Sequence, residues 1–174
     1  MNEDNTKINK EEIMKFYGYA GTSGNISLKA KLSKSWILHY FAYTLPFSNW
    51  IISMQRMRGV KIGKRCHFSS YVLIDLIYPK MINIGNNVTI SHNVMIFAHA
   101  NPTANLFLKE KYPRKVEPVT IKDGAVINPG SIIIAGVTIG KDAIVSVGSV
   151  VTENVPDRTI VVGNPARPIK KIDD

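Results

Sequence analysis

The sequence is poor in cysteine and in acidic residues, and it lacks a secretory signal. A single cysteine among 174 residues excludes a disulfide framework and a multi-thiolate metal site, and it indicates a reducing compartment. Only 13 acidic residues stand against 22 basic ones, so the formal net charge is +9. The positive charge predicts an anionic partner. Nucleic acid is not expected as that partner, because arginine-rich arms, zinc-finger spacing and RNA-binding aromatic motifs are lacking. The polar N-terminus predicts a cytoplasmic protein.

Residues 1–58 are expected to form an N-terminal helical segment. Residues 35–55 carry no formal charge, but Pro46 and several polar side chains make them a poor membrane span. Two amphipathic helices broken at Pro46 fit the pattern better. The second helix would be capped by Ser48 and would end at Gly59.

Two interpretations of this segment remain open. In the first, it packs on one end of the main domain. In the second, residues 35–58 make peripheral contact with a membrane. Trp36 and Trp50 would then lie at headgroup depth, with nearby basic residues on anionic lipid.

A six-residue periodicity dominates the rest of the chain. Its second half has a β-branched residue at every sixth position: Ile121, Ile127, Ile133, Ile139, Val145 and Val151. Two shorter blocks precede it: Ile62, Phe68 and Ile74, then Ile84, Ile90 and Ile96. Four residues are inserted between these two blocks, and a nineteen-residue excursion separates Ile96 from Ile121. Small or β-branched residues recur four positions after the anchors.

This pattern predicts stacked coils of short strands. A β-branched strand followed by a small corner turns the chain, and three such units close one coil of about eighteen residues. Twelve anchors make about four coils, whose two exposed edges need caps. A parallel βαβ sheet would need helical stretches between its strands, and none follows Ile121. We therefore predict a coil domain over 59–156 with an inserted loop at 97–120, and a C-terminal tail over 157–174.

Particular stretches of the coils match a known family. They are Gly136-Val-Thr-Ile-Gly140, Val145-Ser-Val-Gly-Ser-Val-Val-Thr152 and Val162-Gly-Asn-Pro-Ala-Arg167, preceded by Arg58-Gly-Val-Lys-Ile-Gly63 and Ile84-Gly-Asn-Asn-Val88. In these the chain resembles the hexapeptide-repeat acyltransferases, in particular the maltose, galactoside and polysaccharide O-acetyltransferases. The resemblance implies a mainly β fold: a left-handed parallel β-helix of about four coils with an N-terminal helical segment.

The resemblance also implies an activity. It is that of a homotrimeric acetyltransferase that moves acetyl from acetyl-CoA to a hydroxyl of a sugar or polysaccharide precursor, with no metal required. His99, just before the inserted loop, matches the family's general base, a task for which imidazole is suited because its free pKa lies near working pH. Transfer would be direct, and Cys66 is expected to pack inward instead of acting as a nucleophile.

Binding residues follow from the resemblance position by position. CoA would lie along the last two coils between neighbouring subunits, with its phosphates near the C-terminal end. The matching CoA residues are Pro129, Val147, Thr152, Arg167 and Lys170. Candidate acceptor contacts are Ser69, Asp75 and His67. The basic side chains of the inserted loop could receive an anionic acceptor or simply be solvated: Lys109, Lys111, Arg114 and Lys115.

The chain departs from the family pattern in ways that bear on the acceptor. Ser69 and Val126 stand where sugar acetyltransferases often have asparagine and tryptophan. An N-acetyltransferase acting on an amino sugar or antibiotic, and a non-catalytic scaffold of the same fold, therefore remain alternatives. A zinc carbonic anhydrase fits less well, since His92 and His99 are seven residues apart where that family has two histidines five apart.

Overall fold

Three helices precede the coils in the computed structural model, which describes residues 2–101 and 105–173. Residues 102–104, part of the predicted inserted loop, lie outside the described residues. The helices are α1 (Asn2–Phe16), α2 (Gly21–Thr44) and α3 (Ser48–Arg58). None of the described helices combines the length and apolar character needed to cross a bilayer.

The break between α2 and α3 lies at Pro46, as predicted, but the predicted cap is wrong. Ser48 is the first helical residue, and the capping position is taken by Phe47 without a side-chain hydrogen bond. The Ser48 hydroxyl instead accepts a hydrogen bond from the backbone N–H of Phe68 at 2.9 Å. The predicted end is confirmed: Gly59 has φ of +107°, the left-handed conformation typical of a helix C-terminus.

The remainder of the chain winds through three parallel sheets. Sheet A contains β1 (Lys61–Ile62), β4 (Ile82–Ile84), β9 (Val119–Ile121) and β12 (Thr138–Ile139). Sheet B contains β2 (His67–Phe68), β5 (Thr89–Ile90), β10 (Val126–Ile127), β13 (Ile144–Val145) and β15 (Thr159–Gly163), with β16 (Ala166–Lys171) antiparallel at its end. Sheet C contains β3 (Leu73–Ile74), β6 (Met95–Ile96), β11 (Ile132–Ile133) and β14 (Val150–Val151). Successive strands take sheets A, B and C in turn, so the chain forms a parallel β-helix of four coils.

The anchors of the periodicity stack in register and form the core. Ile62 pairs with Ile84, Ile84 with Ile121, and Ile121 with Ile139. Of the twelve anchors, Ile62 is half-buried and the other eleven are buried. The corner positions of the later units are buried as well: Ala125, Ser131, Val137, Ala143, Ser149 and Val155. The predicted coils are therefore confirmed residue by residue.

Both ends of the coil stack are covered. At the first coil, the Arg56 guanidinium donates to the carbonyl of Gly63 at 2.6 Å, and the N–H of Tyr71 donates to the carbonyl of Tyr43 at 2.7 Å. At the last coil, β15 continues sheet B and pairs with β16. The helical segment thus packs on one end of the domain, as the first interpretation predicts, and satisfies backbone groups that an open edge would expose.

The inserted loop leaves the coils later than predicted and carries its own structure. Phe97 still belongs to the coil, since its N–H donates to the carbonyl of Ile133. The loop then forms β7 (His99–Ala100), α4 (Leu106–Lys111) and β8 (Lys115–Val116), with β7 and β8 antiparallel. It closes where the N–H of Glu117 donates to the carbonyl of Ala98 at 3.0 Å.

Helix α1 holds this loop through ion pairs. Glu12 accepts from Lys109 at 2.9 Å and from Arg114 at 3.0 Å. Lys115 lies 2.8 Å from Glu117. Three of the four loop cations considered for an anionic acceptor are therefore already paired with carboxylates, and the pairs with Glu12 tie the loop to the helical segment.

Candidate active site

His99 and Asp75 form a hydrogen-bonded pair at one edge of the coils. His99 begins β7 immediately after the second coil, and Asp75 follows β3 of the first coil. The Nδ1 atom of His99 lies 2.6 Å from Oδ2 of Asp75. The histidine side chain is 14% exposed, whereas the aspartate side chain is inaccessible. The pair thus presents an imidazole at the surface with a carboxylate behind it.

The Asp75 carboxylate is held by several donors. Oδ2 also accepts from the N–H of Ala98, and Oδ1 accepts from the N–H groups of Ile77 and Tyr78. Burial raises the pKa of Asp75, but the hydrogen bonds from His99, Tyr78 and Ala98 outweigh burial and leave the pKa below its usual value. The group is therefore an ionised acceptor at neutral pH.

An ionised Asp75 decides which nitrogen of His99 can act as a base. Because the carboxylate can only accept, Nδ1 must be the donor in this hydrogen bond. In the neutral imidazole, Nε2 then carries the free lone pair. The Asp75 side chain is inaccessible, so the structure does not support the predicted contact between Asp75 and the acceptor. Its carboxylate is bonded to His99 instead.

Tyr78 packs against the histidine ring. The two rings lie edge to face with centroids 5.3 Å apart, and Tyr78 is fully buried. Its hydroxyl lies 3.4 Å from Nη1 of Arg114 on the inserted loop. Sequence reasoning missed Tyr78, which lies in the four-residue insertion between the first two blocks and outside the periodicity.

A buried arginine, Arg58 at the end of α3, supports the chain segment that carries Asp75. Its Nη2 atom donates to the carbonyls of Ile74 at 3.1 Å and of Asp75 at 2.6 Å. Its Nε donates to the hydroxyl of Ser35 at 3.1 Å, and its Nη1 lies 3.1 Å from Nδ1 of His39. Burial lowers the pKa of Arg58 to about 10, so the guanidinium stays charged at neutral pH. Through Arg58, helices α2 and α3 are therefore hydrogen-bonded to the backbone of Asp75.

Because of His39, the free energy of unfolding should fall as the pH is lowered from about 6.5 to about 4. Burial and the charge of Arg58 lower the pKa of His39 to about 4, against 6.5 for an unperturbed histidine. The unfolded state binds a proton in this window and the folded state does not. Full stability is thus present above pH 6.5, and the unfolding free energy declines by up to about 3 kcal/mol as the pH falls to 4.

Denaturant unfolding between pH 4 and pH 7 measures this effect. The variant His39→Gln keeps an acceptor for Arg58 but cannot be protonated, so its stability should fall less over the same range. The matched control is His92→Gln, because His92 is exposed and should leave the profile unchanged. An unaltered profile in His39→Gln would contradict the assignment.

The predicted CoA residues of the coils divide between two edges of sheet C. Pro129 and Val147 lie in turns that lead into this sheet, stacked so that the N–H of Gly148 donates to the carbonyl of Pro129 at 2.9 Å. Val147 is 68% exposed. Thr152 follows β14, at the edge where the chain leaves sheet C and where His99 also lies. One copy of the chain therefore places Thr152 on the side of sheet C where His99 lies, and Pro129 and Val147 on the opposite side.

The C-terminal hairpin carries the two predicted phosphate contacts. Arg167 and Lys170 are both exposed on β16. Arg167 pairs loosely with Glu153, with Nη2 and Oε1 3.5 Å apart and both side chains more than half exposed. Exposed cations of this kind can turn to an anionic ligand at little cost.

The remaining acceptor candidates are not brought to His99 within one chain. His67 is exposed on β2 of sheet B. Ser69 is half-buried just after that strand, where its N–H donates to the carbonyl of Ile90. Both residues therefore lie on or beside sheet B, whereas His99 follows sheet C.

Cys66 packs against the core, as predicted. It is partly buried, and its Sγ lies 3.1 Å from the carbonyl oxygen of Gly85. His92 is an exposed corner residue whose Nδ1 lies 3.2 Å from the carbonyl oxygen of Ser70. Among residues 2–101 and 105–173, no three His, Cys, Asp or Glu side chains are grouped so as to hold a metal ion.

Comparisons with known proteins give relatives over most of the chain, although no protein-family model matches it. The Bacillus subtilis protein YvoF, named provisionally as an acetyltransferase, is 34% identical over 140 residues, which are 79% of this chain and 76% of YvoF. The galactoside O-acetyltransferase of Escherichia coli K12 is 34% identical over 118 residues, which are 67% of this chain but only 56% of that enzyme. A solved structure of the hexapeptide-repeat acetyltransferase VCA0836 from Vibrio cholerae, complexed with acetyl coenzyme A, matches with a TM-score of 0.70 at 22% identity, over 84% of this chain and 89% of that chain.

Proposed function

Because the chain belongs to the hexapeptide-repeat acetyltransferases and has their left-handed parallel β-helix fold, we propose that it transfers acetyl from acetyl-CoA to a hydroxyl of a sugar or polysaccharide precursor. The observation that carries the proposal is the His99–Asp75 pair, an accessible imidazole with its Nδ1 bonded to a buried carboxylate. The name of the galactoside O-acetyltransferase relative supports a sugar hydroxyl as the acceptor.

The proposed reaction is a direct transfer. The acceptor oxygen attacks the thioester carbonyl carbon while Nε2 of His99 removes the hydroxyl proton. The resulting imidazolium is stabilised by the Asp75 carboxylate. Collapse of the tetrahedral oxyanion breaks the carbon–sulfur bond, and the imidazolium returns the proton to the departing thiolate of CoA. Each turnover therefore yields one ester and one free thiol, and it leaves His99 neutral.

We place the CoA site between copies of a homotrimer. The residues that alternate with the buried anchors of sheet C point outward and are apolar: Leu73, Met95, Ile132 and Val150. A flat apolar sheet face of this kind suits contact between copies. Contact there would bring Pro129 and Val147 of one copy towards His99 of the next, with Arg167 and Lys170 available to the CoA phosphates.

Arg167→Ala should weaken CoA binding by about tenfold or more, the effect expected for loss of a charge-assisted hydrogen bond to phosphate. Acetyl-pantetheine lacks the nucleotide phosphates, so its affinity should stay the same. Calorimetric titration of both ligands measures the difference, with Lys122→Ala as an exposed-lysine control, since Lys122 pairs with Asp157. An unchanged affinity for CoA would show that Arg167 serves only its pair with Glu153.

An acceptor screen tests the reaction itself. Thiol release from acetyl-CoA is followed with sugars, nucleotide sugars and amino sugars, and each product is treated with hydroxylamine, which cleaves esters but not amides. We expect release with a hydroxyl acceptor and a hydroxylamine-sensitive product. A resistant product would indicate N-acetylation instead and would overturn the O-acetyl assignment.

A further inference from the structure

Helix α2 buries the polar residues Ser35 and His39 and exposes several large apolar side chains. The buried face includes Ser35 and His39, which hold Arg58. The opposite face of α2, the turn after it and the start of α3 expose six large apolar side chains, here called the aromatic stripe: Trp36, Ile37, Tyr40, Phe41, Phe47 and Trp50. Each of them is between 47% and 59% exposed. A cluster of exposed apolar side chains on a protein surface indicates a binding site.

Neighbouring rings support one another within the stripe. Trp36 and Tyr40 are stacked with centroids 6.2 Å apart, and Tyr40 meets Phe41 edge to face. Phe47 and Trp50 form a similar edge-to-face pair at 5.4 Å. Tryptophan and tyrosine combine an apolar ring with a polar atom, so they favour the boundary between hydrocarbon and water.

The chain segment that contains the stripe carries charge of one sign. No acidic residue occurs between Glu12 and Asp75, whereas nine basic residues do. Lys29 and Lys34 belong to α2 itself, and both are exposed. An anionic partner would complement this surface, and a second copy of the same face would bring lysine against lysine.

We propose that the aromatic stripe docks on the surface of an anionic lipid bilayer. The aromatic rings would enter the headgroup region, and the lysines beside them would contact lipid phosphates. A groove of about 480 Å³ runs from the stripe to Leu76 and Ile77, the two residues that follow Asp75. The docked surface therefore adjoins the chain segment behind the candidate active site. The inference concerns binding alone and does not depend on the proposed reaction.

Flotation of the full chain with vesicles tests the proposal. The protein should float with vesicles of phosphatidylcholine and phosphatidylglycerol but not with phosphatidylcholine alone, and added salt should reduce the floating fraction. The double variant Trp36→Ser/Tyr40→Ser should stay at the bottom of the gradient. The variant Lys29→Glu/Lys34→Glu should bind the anionic vesicles ~10-fold more weakly or worse, since each cation near such a surface contributes on the order of 1 kcal/mol.

A matched control removes equally exposed aromatic rings elsewhere. Phe107 and Tyr112 lie on the inserted loop and are 65% and 64% exposed, so Phe107→Ser/Tyr112→Ser should float like the wild type. Circular dichroism melting confirms that each variant is folded. Wild-type protein that does not float, or a Trp36→Ser/Tyr40→Ser variant that still does, overturns the proposal. A lipid-free change of oligomeric mass in that variant also overturns it, because the stripe would then be a contact between copies.

Discussion

Replacing His99 by alanine is expected to lower acetyl transfer by about 10³-fold, the range of a positioned general base. The variant loses the nitrogen that removes the acceptor proton, and the Asp75 carboxylate behind it then has nothing to orient. The affinity for acetyl-CoA should stay near the wild-type value, because His99 is not among the residues proposed to bind CoA. Thiol release with the best acceptor and calorimetric titration of CoA measure the two quantities separately.

The matched control is His92→Ala, seven residues earlier in the chain. His92 is exposed at a coil corner, so its removal should leave turnover unchanged. Turnover retained in His99→Ala would remove His99 from the proposed role. A parallel loss of CoA affinity or of melting temperature would instead indicate that His99 maintains the structure.

Arg58→Met is expected to cause the largest loss of stability, about 3–5 kcal/mol in the unfolding free energy. The arginine is buried, and methionine fills part of its volume without a donor. The carbonyls of Ile74 and Asp75, together with the amide oxygen of Gln55, would each lose a hydrogen bond from Arg58. Denaturant unfolding measures the loss. Transfer should also fall in conditions where the variant is still folded, since the backbone that carries Asp75 is no longer held.

Arg56→Met provides the comparison two residues earlier. Arg56 also donates to backbone carbonyls, of Ile62 and Gly63, but it is exposed, so water can replace it. Its loss should cost no more than about 1 kcal/mol. Arg58→Lys should recover part of the activity because an ammonium can donate to some of the same oxygens. Equal stability of Arg58→Met and Arg56→Met would contradict the account of the buried network.

The coils could be predicted from the sequence because their information is local. An anchor such as Ile127 lies six residues from the next one and stacks on Ile90 and Val145 of neighbouring coils, so a simple period places the twelve strands that carry the anchors. Cover at both ends is expected because a stack of coils exposes a strand edge at each end. The left-handed sense of the winding came from resemblance, since the period alone does not distinguish the two hands.

The contacts behind the candidate active site could not be predicted, because they join parts of the chain with no common period. Asp75 was expected to meet the acceptor. It is buried instead, since the insertion after it returns two backbone N–H groups to its carboxylate. The sequence marks Arg58 only as the first residue of the stretch Arg58-Gly-Val-Lys-Ile-Gly63, which resembles the family. The partners of Arg58 include Ser35 on α2 and Ile74 at the end of β3, and these contacts depend on how the helical segment packs against the coils. The same holds for Glu12, which meets Arg114 across 102 residues of sequence.

Titration of acetyl-CoA into the purified protein tests the central claim most directly, because it requires no knowledge of the acceptor. The account predicts a saturable heat of binding with a micromolar dissociation constant and a rise in melting temperature. It also predicts that His99→Ala binds as tightly as the wild type. Neither heat nor stabilisation up to millimolar acetyl-CoA would contradict the account and would leave the β-helix as a scaffold without transferase activity.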